Sequence, residues 1–264
     1  MPALTARDLE ILNIETRDLE TRDVEYGHDG TRMIGLLVAP EGAVGLGTVL
    51  LLHDAFGLGE DTIAHAHRYA DLGYAVFAAD VWGDRHQPAG GPDIGPLIGA
   101  MAADRGEWMA RVAAAHRTAA ARPEVDAERI VALGYCFGGA GALEFVRTGG
   151  DVVGAVSIHG GLDLLDRDWA AATSGIDVLV CTGSADPMAT AEHRSALEAD
   201  LDGAGIGWEV ALYSGVRHAY TNPRSDLPGM PPGVGYSARA TARSWQSTRQ
   251  FLAERFGEET RAGA

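Results

Sequence analysis

A cysteine flanked by glycines lies in residues 134–139, whose sequence is Gly-Tyr-Cys-Phe-Gly-Gly. An apolar run over 130–133 precedes this stretch, and a helix-like run over 140–146 follows it. A sharp turn between a strand and a helix strains the backbone of its central residue, and glycines on either side avoid collisions with the neighbouring elements. The N–H groups at the start of a helix favour a thiolate and, later, an oxyanion. The pattern therefore predicts a nucleophile elbow centred on Cys136.

A second cysteine, Cys181, has a different setting. It ends the apolar run 178–181, and no glycine elbow surrounds it. Because free cysteine is among the most buried residue types, we interpret Cys181 as a core residue. Packing is also the alternative for Cys136 considered alone, so a catalytic assignment needs partner residues elsewhere in the chain.

Length and composition exclude several classes of protein. The chain has 264 residues, enough for one large α/β domain with a substantial core. Two cysteines and the absence of a signal-like start predict a reducing, cytoplasmic setting without structural disulfides. The aliphatic run 49–52 is far too short to span a bilayer, which argues against membrane insertion. A net charge of -16 repels phosphate backbones and argues against nucleic acid as a partner.

The first part of the chain predicts an antiparallel strand pair. Residues 1–20 are polar and are interpreted as an N-terminal extension, followed by a single domain over 21–264. Within that domain, strand-like segments at 24–27 and 32–39 flank His-Asp-Gly at 28–30, and Asp-Gly is a strong hairpin signal.

After Pro40, apolar strands alternate with helices. The predicted parallel strands are 48–52, 74–79, 130–133, 152–158, 177–182 and, near the sheet edge, 208–213. The predicted helices are 61–72, a long segment that follows the loop 82–96 and ends near 122, the helix after the elbow, 192–201 and 237–256. Such alternation predicts an α/β fold with a mostly parallel sheet and helices on both faces.

Three side chains at strand ends form a candidate catalytic set. Ligands of such sheets bind at the carboxyl ends of the strands. Cys136, Asp186 and His218 each follow a predicted strand, in the chain order of α/β-hydrolase triads. His218 would take the thiol proton and later protonate the leaving group, and Asp186 would hold the imidazole in the required tautomer. The backbone N–H groups of Phe137 and Ala55 would form the oxyanion hole.

The elbow sequence, Asp186 and the later His218-Ala219-Tyr220 together resemble the dienelactone hydrolase family of the α/β-hydrolase fold. The resemblance runs from about residue 24 to residue 256, and the cysteine elbow is its most specific part. It implies a thiol-based hydrolase that opens lactones or cleaves esters of small carboxylic acids through an acyl-enzyme. It also implies that no cofactor or metal is used, and a monomer or homodimer is expected.

Two features depart from the founding members of that family. Those members carry an acidic residue after the first parallel strand that engages the resting thiol, and Asp54 takes this place with one methylene less. Asp54 therefore either holds Cys136 as a neutral thiol or supports the oxyanion loop. The founding members also bind the substrate carboxylate with two arginines. One matches Arg85 if the loop has one extra residue, whereas Asn222 occupies the position of the other, with Arg224 close by.

Further residues beside the catalytic loops are candidates for the substrate pocket. The aromatic candidates for an apolar wall are Phe56, Trp82, Tyr135 and Tyr220. His159 follows a central strand and is a further candidate for the lining. His65 and His67 are two apart on a predicted helix, so we interpret them as surface residues. The Pro/Gly-rich segment 223–235 either caps the site or forms a surface connection.

Two other functions are open to such a sequence. A glutamine amidotransferase also places a cysteine on an elbow, but it needs a later His-x-Glu pair, and His218 is followed by Ala219 and Tyr220. A non-catalytic binding protein on the same scaffold would normally lose a member of the triad, and all three are present. A reaction with a thiol-directed probe separates that alternative from an enzyme.

Overall fold

The computed structural model describes residues 18–257. In this part of the chain, eight strands form one sheet in the order β1-β2-β4-β3-β5-β6-β7-β8. The strands are β1 Leu19–His28, β2 Thr31–Pro40, β3 Leu46–Leu52, β4 Ala75–Ala79, β5 Val125–Tyr135, β6 Gly154–Ile158, β7 Asp177–Gly183 and β8 Gly207–Tyr213. Strands β3 to β8 are parallel, whereas β2 pairs antiparallel with both β1 and β4. The predicted α/β-hydrolase architecture is confirmed.

The predicted hairpin joins β1 to β2 with a two-residue turn. Asp29 and Gly30 have φ values of 42° and 77°, and two positive φ values in succession match the twist of a hairpin. The pairing begins at Leu19 opposite Pro40, so the first strand starts two residues before the predicted domain boundary at 20/21. Residues 1–17 of the predicted extension lie outside the described part.

Within residues 18–257, six α-helices cover the two faces of the sheet. They are α1 Glu60–Ala70, α2 Gly91–Ala103, α3 Arg105–Ala120, α4 Phe137–Arg147, α5 Ala191–Ala204 and α6 Ala238–Phe256. The long helical segment predicted before residue 122 is two helices, because Asp104 caps α3 by accepting a hydrogen bond from the Glu107 N–H (3.0 Å). The first of the two also begins inside the predicted loop 82–96.

The sheet separates two apolar cores. Along β3, Leu50 and Leu52 belong to the core under α3, α4 and α5, while Val49 and Leu51 belong to the core under α1 and α6. Strands buried on both faces read as continuous apolar runs, which explains the sequence pattern. Truncation of a side chain such as Leu50 to alanine would cost about 2–5 kcal/mol. This rigid base fixes the loops at the carboxyl ends of the strands, which hold the candidate site.

Between residues 18 and 257, none of the helices combines the length and the apolar character that a membrane span requires.

Candidate active site

Cys136 lies at the sharp turn between β5 and α4. Its backbone has φ 52° and ψ -117°, a conformation that costs a non-glycine residue about 1–3 kcal/mol. The Cys136 N–H donates to the carbonyl of Ile158 (3.0 Å), and its own carbonyl accepts from the N–H of Ala140 (3.2 Å). The strained turn is therefore fixed on one side to β6 and on the other to the first turn of α4.

The glycines around Cys136 allow this turn because backbone atoms occupy the space of any side chain there. A Cβ on Gly134 would lie 2.1 Å from the carbonyl carbon of Gly138, and a Cβ on Gly138 would lie 2.2 Å from the carbonyl oxygen of Leu52. Neither contact can be relieved by rotating a side chain. The glycine pattern is thus required for the close approach of β3, β5 and α4.

The three residues of the predicted triad lie in one hydrogen-bonded series. The Nε2 atom of His218 is 3.1 Å from the Sγ atom of Cys136, and its Nδ1 atom is 2.9 Å from Oδ2 of Asp186. The other oxygen of Asp186 accepts from the Met188 N–H (2.9 Å). Both the aspartate and the histidine are buried, so the contact between them is shielded from water, whereas Cys136 is partly exposed.

Burial alone would lower the pKa of His218. The negative charge of the neighbouring Cys136 and the hydrogen bond to Asp186 outweigh that effect and raise the pKa of His218 to about 10. The site therefore favours the imidazolium form of His218, whose Nε2 atom lies next to the sulfur of Cys136.

The segment 223–235 supports the backbone of His218. The His218 N–H donates to the carbonyl of Gly233 (3.0 Å), and the Gly235 N–H donates to the carbonyl of His218 (3.0 Å). A Cβ on Gly233 would lie 2.5 Å from Pro187, directly after the triad aspartate. The end of this segment is therefore part of the frame of the site. The composition of the segment gave no signal for that role.

The two predicted oxyanion-hole donors lie at element ends. Phe137 is the first residue of α4, where N–H groups have no intrahelical acceptor. In the loop after β3, the amides of Phe56 and Gly57 donate to the side chain (2.9 Å) and the carbonyl (3.2 Å) of Asp54. Across residues 18–257, the intervening Ala55 amide donates to no backbone carbonyl. Their role at an oxyanion remains a prediction.

Asp54 is bonded to its own loop rather than to sulfur. Its Oδ1 atom accepts from Phe56 N–H, and no hydrogen bond joins it to Cys136 among the described residues. Burial raises the pKa of Asp54 to about 6, although the Phe56 bond and the charge of His218 act in the opposite direction. This geometry favours the loop-support interpretation, and the gating interpretation stays a prediction.

Three of the four aromatic residues proposed for the substrate wall are core residues. Trp82 is buried, stacks on Phe137 (4.6 Å between ring centroids) and donates from Nε1 to the Ala55 carbonyl (3.3 Å). The hydroxyl groups of Tyr135 and Tyr69 are 2.7 Å apart in the opposite core. Tyr220 is fully buried. These positions argue against a pocket wall.

Phe56 is the exception among the four aromatic candidates. This residue is 45% exposed in the loop after β3, so its place in a substrate wall stays a prediction.

His159 packs against the triad histidine instead of opening into a pocket. Its ring centroid is 5.3 Å from that of His218 at an interplanar angle of 69°, and its Nε2 atom is 2.8 Å from Oγ1 of Thr221. The backbone has φ 39°, and the side chain is buried. Burial chiefly, with the charge of His218, lowers the pKa of His159 well below its usual value. A neutral ring therefore supports the charged one.

His65, predicted to be a surface residue, is also packed. Its ring stacks on Tyr135 with 4.0 Å between centroids and an interplanar angle of 8°. Burial chiefly, and the charge of Arg68, lower the pKa of His65 to about 3. The prediction failed because Tyr135 at the end of β5 turns toward α1, which the two-residue spacing of the histidines does not reveal.

The arginines proposed to bind a substrate carboxylate are engaged elsewhere. Arg85 pairs with Asp23 on β1 (2.7 Å). Arg224 pairs with Glu60 (3.1 Å) and Asp61 (3.5 Å) at the start of α1. The structure thus directs Arg85 toward the edge of the sheet and joins Arg224 to two acids. Within the described range, no cluster of three or more His, Cys, Asp or Glu side chains is arranged to hold a metal ion.

Comparison with known proteins identifies relatives that are similar in sequence and in fold. The model of the dienelactone hydrolase family matches residues 33–256. Two solved structures each align with 90% of this chain and 99% of their own, with a TM-score of 0.84. They are m3DLH, 34% identical, and the dienelactone hydrolase-like promiscuous phosphotriesterase P91 from metagenomic libraries, 35% identical.

More distant matches are consistent with the same architecture. A putative dienelactone hydrolase from Klebsiella pneumoniae is 19% identical with a TM-score of 0.75, covering 90% of this chain and 100% of that one, and shares the fold. An uncharacterized protein of Caenorhabditis elegans is 31% identical over 159 residues, which are 59% of this chain and 99% of that protein.

Proposed function

Since the chain belongs to the dienelactone hydrolase family, we propose that it hydrolyses carboxylic esters and lactones with Cys136 as a covalent nucleophile. The observation that carries this proposal is the hydrogen-bonded series from Asp186 through His218 to the sulfur of Cys136, at 2.9 and 3.1 Å. A thiol at a strained elbow, next to a base whose orientation is fixed by a buried acid, matches the requirements for nucleophilic catalysis.

The first half of the reaction forms an acyl-enzyme. His218 Nε2 takes the proton of the Cys136 thiol, and the sulfur attacks the carbonyl carbon of the ester. The carbonyl oxygen becomes an oxyanion that the amides of Ala55 and Phe137 stabilise. The bond from carbon to the leaving oxygen then breaks, and His218 gives its proton to that oxygen. The product is a thioester on Cys136 and a free alcohol, which stays attached to the acyl group when the substrate is a lactone.

The second half of the reaction releases the acid. His218 takes a proton from a water molecule, whose oxygen attacks the thioester carbon through the same oxyanion. The carbon–sulfur bond breaks, and Cys136 leaves as a thiolate paired with the imidazolium of His218. Asp186 keeps the Nδ1 proton on the imidazole throughout both halves, so that Nε2 is free to exchange protons.

The alternatives have less support. A retained binding scaffold gives no reason for the strained φ of 52° at Cys136 or for the buried ion pair behind it. An amidotransferase needs a carboxylate two residues after its histidine, and Tyr220 stands there with its side chain fully buried.

The proposal is tested by removing each cysteine in turn. Cys136→Ala should lower the kcat/KM for a para-nitrophenyl ester by at least about 10⁴-fold, because covalent catalysis is lost. The matched variant Cys181→Ala should retain most activity. Full activity in Cys136→Ala would refute the proposal, provided that circular dichroism shows a folded protein.

Phosphotriester hydrolysis is a second candidate activity. The P91 protein, described as a promiscuous phosphotriesterase, is 35% identical over 90% of this chain. A nucleophile beside an imidazolium and two amide donors would also suit a phosphoryl oxygen that gains charge. Diethyl para-nitrophenyl phosphate is the test substrate. Turnover that disappears in Cys136→Ala would support this activity, and no turnover above the buffer rate would exclude it for that substrate.

A further inference from the structure

Three arginines that could otherwise attract an anionic substrate are each paired with acidic side chains. Arg224 is paired with Glu60 and Asp61 at the start of α1. Arg217, adjacent to the triad histidine, is paired with Asp226 (3.4 Å). Arg85 is paired with Asp23. A carboxylate on a substrate would have to compete with these acids for each of the three arginines.

Three further carboxyl groups lie around His218. Asp54 is in the oxyanion loop, and Asp61 accepts from the Asn222 side chain (2.9 Å), four residues after His218. The Asp163 N–H donates to the carbonyl of Met188 (3.1 Å), whose own N–H bonds the triad aspartate. A substrate anion would therefore approach a region where three carboxyl groups lie near His218, and repulsion from those that are ionised is only partly screened near a low-dielectric surface.

Two large exposed side chains next to the catalytic loops are apolar. Phe56, one residue after the predicted oxyanion donor Ala55, is 45% exposed. Met188, two residues after Asp186, is 41% exposed. Large exposed apolar side chains beside a functional loop mark a binding surface for apolar groups.

From this arrangement, and resting on the proposed hydrolase activity, we infer that the site selects neutral esters with an apolar acyl or alkyl group and rejects esters that carry a second, ionised carboxylate. Asp61 is the specificity-determining residue of this selection, because it pairs with Arg224 and also binds the side chain of Asn222, four residues after His218.

A matched pair of substrates tests the inference. The para-nitrophenyl ester of hexanoic acid and the mono-para-nitrophenyl ester of adipic acid differ only in a terminal methyl that becomes a carboxylate. After normalisation to alkaline hydrolysis, the kcat/KM of the neutral ester should exceed that of the anionic ester by about tenfold or more. Raising the ionic strength from about 0.01 M to about 1 M should reduce the difference between the two kcat/KM values, because only the value for the anionic ester should rise.

One charge-neutralising variant identifies the source of the selection. Asp61→Asn keeps an oxygen that can accept from Asn222 but removes one of the two negative charges beside Arg224, which then pairs with Glu60 alone. This variant should therefore improve the kcat/KM for the anionic ester about threefold or more relative to the neutral one. The matched control is Glu128→Gln, which removes the same charge from an exposed position on β5, and it should leave the ratio unchanged.

Two results would overturn the inference: equal or better hydrolysis of the anionic ester by the wild-type protein, or an unchanged ratio in Asp61→Asn. Failure of the protein to hydrolyse either ester would instead contradict the proposed hydrolase function, so the two failures are distinguishable.

Discussion

The two cysteines lie at strands β5 and β7, which have only β6 between them, but their surroundings favour opposite reactivity. Cys181 is inside β7, paired in register with Ile158, and fully buried, and burial raises the pKa of its thiol to about 12. Cys136 lies one residue beyond the end of β5 on a strained turn, with a histidine nitrogen 3.1 Å from its sulfur. The difference teaches that position along a strand, more than residue type, decides whether a thiol can act as a nucleophile.

The largest expected effect on the environment of Cys136 comes from removing the carboxylate that supports His218. Asp186→Asn should lower turnover of an ester by about 10⁴-fold while preserving the fold, since the wrong imidazole tautomer is then favoured. Steady-state kinetics and thermal unfolding measure both properties. Asp163→Asn, which removes a nearby carboxylate outside the hydrogen-bonded series, is the matched control and should stay within about tenfold of the wild-type rate. If Asp163 were the essential acid, the assignment of the triad would be wrong.

The second prediction concerns a substitution that fills the space needed by the turn at Cys136. Gly138→Ala would place a Cβ 2.2 Å from the carbonyl oxygen of Leu52, so the turn must shift. We expect a loss of stability of about 3 kcal/mol or more, together with a loss of ester hydrolysis. Gly203→Ala in α5 is the control, because nothing lies within 4 Å of its added Cβ. It should be neutral or stabilising by up to about 1 kcal/mol in thermal unfolding. Equal stability of the two variants would contradict the packing argument.

A third prediction concerns the neutral ring beside His218. His159→Asn retains a residue that tolerates positive φ but removes the ring that packs on His218, so kcat should fall by about tenfold with KM changing less. His67→Asn on α1 is the matched control. The pH profile of kcat/KM should shift in the first variant, because the ring contact with His218 is lost. An unchanged rate and profile would show that His159 has no positioning role.

The smallest expected effect comes from Asp54. Its pKa of about 6 in the folded protein lies above the usual 3.8, so burial favours the protonated form. The folded state then binds more protons between about pH 4 and 6, and this group's contribution to stability is present below pH 4 and is lost as the pH rises through 6. Asp54→Asn should therefore raise the thermal midpoint at pH 8 and leave it unchanged below pH 4.

The same variant separates the two interpretations of Asp54. If Asp54 holds the thiol neutral, Asp54→Asn should make Cys136 react several-fold faster with iodoacetamide near pH 7, because removing a negative charge favours the thiolate. If it only supports the oxyanion loop, ester turnover should fall and alkylation should stay unchanged. Measuring both rates on one preparation decides between them.

The sequence was sufficient for the fold and for the identity of the triad candidates. The elbow could be predicted because its glycines are required locally, and Asp186 and His218 could be predicted because parallel strands bring their carboxyl ends together. The hairpin was likewise encoded in two residues, Asp29 and Gly30. These features depend on short-range signals or on general rules of sheet topology, so they can be predicted from the sequence alone.

The directions of individual side chains could not be predicted. Tyr135 and Phe137 flank Cys136 in the sequence but enter opposite cores, so Tyr135 does not form the pocket wall that was predicted for it. The position of Arg85 depends on Asp23 in β1, a contact across 62 residues. Such contacts depend on how distant elements meet, and no local pattern reports them.

The most direct test of the account is to locate the acyl group on the protein. The para-nitrophenyl ester of a hindered acid, which deacylates slowly, is mixed with the wild-type protein and both cysteine variants, and the reaction is stopped with acid. Intact-mass measurement and peptide mapping should find the acyl group on Cys136 in the wild type and in Cys181→Ala, and no acyl group in Cys136→Ala. An acyl group on Cys181 or on any other residue of a protein that is hydrolysing the ester would contradict the account.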